Sequence, residues 1–283
     1  MIMRKGVLMR QALETIPIWD AFQQDTECPL CILVAQIEDS FLASYLEELV
    51  MDASYRSKVV QSGFCNDHLY KLLNRHDNLG LALTLESIIG GMLSSVAKSP
   101  VVHLKGGAEG GYQFLRGLFA SRGNDGAEKF PADFDLGALL STPGKCLACK
   151  HIDGFLRQHC QLIARMYRDE TEFRRVFASS KGFCIPHTFI FVDSLRGIPR
   201  SGSHPDSHNS HKEIISDVLR LLRANLERLS GELGWFIKKF DYRFADAPWN
   251  GTEDSVERAI QKLAGLPGMH APIPGMNVPN EYS

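Results

Sequence analysis

The chain has almost no surplus of charge of either sign: 31 Lys and Arg stand against 33 Asp and Glu, a formal net charge of -2 over 283 residues. No global field therefore draws in nucleic acid, and such a partner would need a local basic patch. Long apolar runs are also scarce. Residues 1–17 carry Arg4, Lys5 and Arg10 but no continuous apolar stretch of the length a secretory signal needs. The most membrane-like stretch, Leu79 to Ala97, is interrupted by Thr84, Glu86, Ser87, Ser94 and Ser95, which predicts a buried helix and no membrane span. A cytoplasmic protein is the expectation. Alternating strand patterns between hairpin turns are missing, which argues against a β fold. Glu38, Glu47, Glu48, Glu86 and Glu170 are spaced as solvated helix faces, with no carboxylate pair arguing for acid–base catalysis. The glycines at 106–107 and 110–111 lack the Lys-Ser/Thr that would complete a phosphate loop.

Cysteine is also sparse, with seven in the chain, yet six of them fall into one repeated signature. The first copy reads Cys28-Pro29-Leu30-Cys31, then Gly63-Phe64-Cys65-Asn66-Asp67-His68. The second reads Cys146-Leu147-Ala148-Cys149, then Gly182-Phe183-Cys184-Ile185-Pro186-His187, with a gap one residue longer. Cys-x-x-Cys sets two sulfurs one turn apart, and Cys-x-x-His does the same with a sulfur and a ring nitrogen. Thiolate and imidazole are the donors that zinc takes in closed tetrahedral sites. Each copy supplies a complete Cys3His set, so the expectation is two separate sites: Cys28, Cys31, Cys65 and His68 in one, and Cys146, Cys149, Cys184 and His187 in the other. Two Zn²⁺ per chain follow, with an iron–sulfur cluster as the alternative, since thiolates suit iron as well.

Helical periodicity surrounds these motifs. Leu33, Ile37, Phe41, Leu42, Tyr45, Leu46 and Leu49 mark a buried helix face after Cys31, and Ile152, Phe155, Leu156, Ile163, Met166 and Tyr167 do so in the second copy. The expected fold is all-α, with two pseudo-symmetric helical units and a long C-terminal helix through Ile214 and Phe240. Cys28 would cap a helix with Pro29 at its first position, where the missing N–H costs nothing. Cys65 and Cys184 would open helices in the same way, so all four ligand pairs sit at helix N-termini that favour thiolate. Arg56 and Arg174 hold equivalent places and are expected to brace the anionic centres or helix C-termini. His151, close to Cys149, is a candidate hydrogen-bond partner behind a ligand. Cys160 lies mid-helix beside His159 and reads as a core residue.

The domain reading is a first unit at 16–98, an irregular connector at 99–140 and a second unit at 141–198. A flexible linker at 199–212 carrying His204, His208 and His211 follows, then a helical segment at 213–266 and a mobile tail at 267–283. The run Ile16-Pro17-Ile18-Trp19-Asp20-Ala21-Phe22 before Cys28, the two Gly-Phe-Cys-x-x-His motifs, and Phe240-Asp241-Tyr242-Arg243 with Asp246 and Trp249 form a specific combination. From Ile16 to Gly265 it resembles a bacterial family of unknown function built from duplicated CxxC/CxxH helical units. The resemblance implies metal binding but no reaction or substrate. The second copy departs from the Cys-Pro-x-Cys form at Leu147 and keeps its ligands.

Three functions compete at this point. The first is a zinc-bound helical scaffold that presents a surface to a partner protein. The second is an iron–sulfur or thiolate-metal redox protein or metalloenzyme. The third is a small-molecule binder using an apolar cleft between helices.

Overall fold

The computed structural model describes residues 2–97, 146–196 and 206–267. Among them there are helices and no strands, as the periodicity predicts. In chain order these are α1 (Ile2–Gln23), α2 (Pro29–Glu47), a 3-10 turn (Leu49–Met51), α3 (Ala53–Ser62), α4 (Asn66–Leu73) and α5 (Asn78–Ala97). Then come α6 (Leu147–Asp169), α7 (Thr171–Ser179), α8 (Ile185–Arg196), α9 (Asp206–Lys238), a second 3-10 turn (Tyr242–Phe244) and α10 (Ser255–Ala264). The order long helix, short helix, Gly-Phe-Cys, helix is found in α2–α4 and in α6–α8.

The compact units do not follow the two copies. One unit comprises Met1–Leu42 with Ala148–Ser283, and the other comprises Ala43–Leu147. The chain thus changes unit inside α2 and again in the first turn of α6.

The first unit is built on aromatic packing. Phe22 meets Phe173 edge-on at 5.1 Å and Phe183 at 6.2 Å, and Phe183 lies 5.9 Å from Phe177 and 5.0 Å from Phe191. Leu30, Leu33, Leu156, Ile163, Met166, Ile214 and Val218 fill the space around these rings. A buried phenylalanine is worth about 1.5–3 kcal/mol by burial alone, so this cluster dominates the unit. In the second unit α3 packs on α5. Tyr45 stands edge-on to Phe64 at 4.9 Å and hydrogen-bonds Thr84 at 3.0 Å.

Two expectations need correction. α5 is not a buried helix: Leu81 and Thr84 face inward, but Leu79 is 65% exposed and Ile89 and Leu93 are also open. Its apolar residues surround the helix, and one packing face can cover only part of them. α9 begins at Asp206, so residues 206–212 are helical where a linker was expected. Among the described residues one helix, Pro29–Glu47, is long and apolar enough to cross a membrane. Half of its apolar window is buried inside the protein. The connector at 99–140, His103, His204, the side chain of His208 and the tail beyond Pro267 lie outside the described residues.

Candidate metal centres

Each Cys-x-x-Cys starts a long helix. Pro29 and Leu147 are the first residues of α2 and α6, and the Cys31 N–H already bonds the Cys28 carbonyl at 3.1 Å. Each Gly-Phe-Cys-x-x-His turns the chain into a second helix. Cys65 caps α4 with its carbonyl accepting from the Leu69 N–H at 3.0 Å, and the Cys184 carbonyl accepts from the Thr188 N–H at 2.8 Å. Gly63 and Gly182 both take positive φ, 63° and 68°, which lets the chain reverse just before the ligands. The phenylalanine between glycine and cysteine is buried in both copies and anchors the segment in its unit. All four pairs therefore sit at helix N-termini, as expected.

The pairing is crossed. Cys28 and Cys31 of the first copy meet Cys184 and His187 of the second. Cys65 and His68 of the first copy meet Cys146 and Cys149 of the second. The expected sets, one per copy, do not form. The physical reason is helix length: from Cys31 to Glu47 the rest of α2 carries the chain about 24 Å away, and the ten residues of α3 recover only about 15 Å. A copy's own CxxH thus cannot return to its CxxC, and each pair meets the other copy's.

Both groups are buried, with ligand atoms all within 4.8 Å of one another, and each can hold one metal ion. In the first, the His187 Nδ1 lies 3.4 Å from the sulfurs of Cys28 and Cys31 and 3.2 Å from that of Cys184. Cys31 and Cys184 stand 3.8 Å apart, sulfur to sulfur. In the second, the His68 Nδ1 is 3.0 Å from Cys65 Sγ and 3.5 Å from Cys146 Sγ. None of the seven cysteines is in a disulfide, so no such bond competes.

The three thiols of the first centre ionise unequally. Burial opposes ionisation of Cys28, but hydrogen bonds from Cys184 and Cys31 and the His187 charge hold its thiol well below the ordinary range. At Cys31 the hydrogen bond from Cys184 pulls downward and is outweighed by Cys28 and burial, so the thiol is pushed up. Cys184 rises as well, chiefly through its bonds to Cys28 and Cys31. A divalent ion held there would let all three thiols ionise.

Several residues around this centre escaped the sequence reading. Lys262 on α10 is 0% exposed and donates to the carbonyls of Glu27 and, at 2.8 Å, Lys181. Its ammonium also lies 3.4 Å from the Glu27 carboxylate, which is itself 1% exposed. Arg228 holds both Glu27 oxygens at 2.7 Å, so the buried carboxylate is fully paired. After α10 the chain turns at Gly265, φ 85°, where a Cβ would lie 3.7 Å from Cys31 Sγ and 3.9 Å from Cys184 Sγ. The next N–H, of Leu266, donates to Cys31 Sγ. The only hint in sequence is the run Lys262 to Leu266 at the end of a short helix, and nothing there names its target.

The residues expected behind the ligands act elsewhere. Arg56 donates to the carbonyls of Val50 and Met51 at 2.9 and 3.0 Å. Arg174 does the same for Tyr167 and Arg168 at 3.1 and 3.2 Å, and lies over the Tyr167 ring. Both brace the end of the preceding helical segment, the second of the two roles expected of them. His151 stacks between Phe41 at 4.2 Å and Phe155 at 4.6 Å, a ring contact in place of the expected role behind a ligand. Cys160 is buried in the first unit's core, and burial pushes its thiol up to about 12.

No curated protein and no solved structure matches the chain. The family of unknown function DUF6062 matches residues 9–268, nearly the whole chain and every candidate ligand, and the protein belongs to that family.

Proposed function

We propose that the protein is a cytoplasmic, zinc-bound helical scaffold whose two ions hold helix N-termini together and so present a fixed surface to a partner protein. The observation that carries this is the spacing of the first centre. A tetrahedral zinc with Zn–S of about 2.3 Å and Zn–N of about 2.0 Å sets S···S near ~3.8 Å and S···N near ~3.5 Å. The distances found, 3.8 Å between Cys31 and Cys184 and 3.2–3.4 Å to His187, match those edges. A cubane iron–sulfur cluster would spread its thiolates over separate irons and hold them further apart. Four protein ligands also fill a tetrahedral shell, which is the mark of a structural site.

Elemental analysis and an absorbance spectrum of anaerobically purified protein test this reading. It expects about two zinc ions per chain and no visible absorbance. Iron, acid-labile sulfide and a broad absorbance near ~400 nm would replace it with the redox reading.

A further inference from the structure

The two centres differ at the residue after the first cysteine, and the structure answers that difference. In the second unit Leu147 follows Cys146, and its N–H donates to the Gly63 carbonyl at 3.0 Å. That single bond ties the start of the Cys-x-x-Cys helix to the start of Gly-Phe-Cys. At the first centre the equivalent residue is Pro29, which has no N–H to give. The two chain segments leading into that centre are joined by a side chain. Lys262 donates to the carbonyl of Glu27, which precedes Cys28, and to that of Lys181, which precedes Gly182. The same stretch of chain then lays the Leu266 N–H on Cys31 Sγ.

We infer that Lys262 is the positioning residue of the first metal centre: it replaces the hydrogen bond that Pro29 cannot make and sets a buried positive charge beside an anionic Cys3His site. The inference rests on the metal-binding reading above. Three thiolates, a neutral imidazole and a divalent ion leave about one negative charge, and Lys262 lies within electrostatic range of Cys28 and Cys184. Burial pulls its pKa below the ordinary lysine value, and Glu27, which Arg228 pins in turn, opposes that pull. Retention of this ion therefore depends on α10, an element distant in sequence from every ligand.

The test is zinc release from the full chain into a colorimetric chelator, followed in time. The wild-type protein is measured first and is expected to deliver two zinc ions per chain; delivery of none would sink the metal reading itself. Lys262→Met should speed release of one ion by about 10–100-fold, the usual effect of losing an outer partner of a metal ligand, while the other ion keeps its wild-type rate. Adding Pro29→Leu, which restores a backbone donor, should recover slow release. Lys262→Gln serves if the methionine variant does not fold, because it keeps a donor and loses only the charge. Equal acceleration of both ions would mark Lys262 as a general stability residue and overturn the inference. So would unchanged release of both, or a Pro29→Leu addition that recovers nothing.

Discussion

At Gly63 and Gly182 the backbone holds φ of 63° and 68°, and at Gly63 ψ is -170°. This region is nearly closed to residues with a Cβ, and forcing one there costs about 1–3 kcal/mol. At Gly182 the added carbon would also lie 3.3 Å from Leu221 Cβ. Gly182→Ala should therefore lower the thermal midpoint of the zinc-bound protein, with Gly63→Ala lowering it by a smaller amount; an unchanged midpoint would remove the turn from the reasoning. Cys160 gives a chemical prediction at the same scale. With its thiol pushed up to about 12 by burial, almost no thiolate exists near neutral pH. Iodoacetamide should leave Cys160 unmodified in the native protein and label it only after denaturation, as read by peptide mass.

The helices explain both what could be read in the sequence and what could not. Helix starts were legible because Pro29 suits a first helical position and Gly-Phe-Cys reverses the chain ahead of α4 and α8. The core face of α6 was legible from Leu156, Ile163, Met166 and Tyr167, all buried, but Phe155, read onto the same face, is 41% exposed and Ile152 is only partly buried. The partner of each Cys-x-x-Cys was misread because motif spacing along the chain says nothing about distance in space. Helix length does, and α2 is nearly twice as long as α3. Lys262 was not legible at all: a lysine on an amphipathic helix reads as solvated, and only tertiary packing turns it inward. One element-level prediction follows from the Leu147–Gly63 bond. Leu147→Pro should leave α6 intact, since proline is tolerated at the first helical position, but cost about 0.5–1.5 kcal/mol through the lost hydrogen bond. Circular dichroism reads the helix and chemical denaturation reads the loss; a variant as stable as wild type would mean the bond is idle.

Across the whole molecule, crossed ligation makes each ion a long-range clip. Cys31 and Cys184 are 153 positions apart, and His68 and Cys146 are 78 apart. Metals that close such loops act partly by restricting the unfolded chain, and a structural zinc contributes on the order of 10 kcal/mol in small domains. That is comparable to the whole stability of an ordinary domain. Chelation should therefore unfold the protein, seen as loss of helical circular dichroism restored by zinc; a native spectrum after complete metal removal would contradict a structural role. The most direct measurement is proton–cadmium correlation NMR on protein loaded with cadmium-113. Crossed ligation predicts one cadmium coupled to Cys28, Cys31, Cys184 and His187, and a second coupled to Cys65, His68, Cys146 and Cys149. A cadmium coupled to Cys28, Cys31, Cys65 and His68 would contradict it.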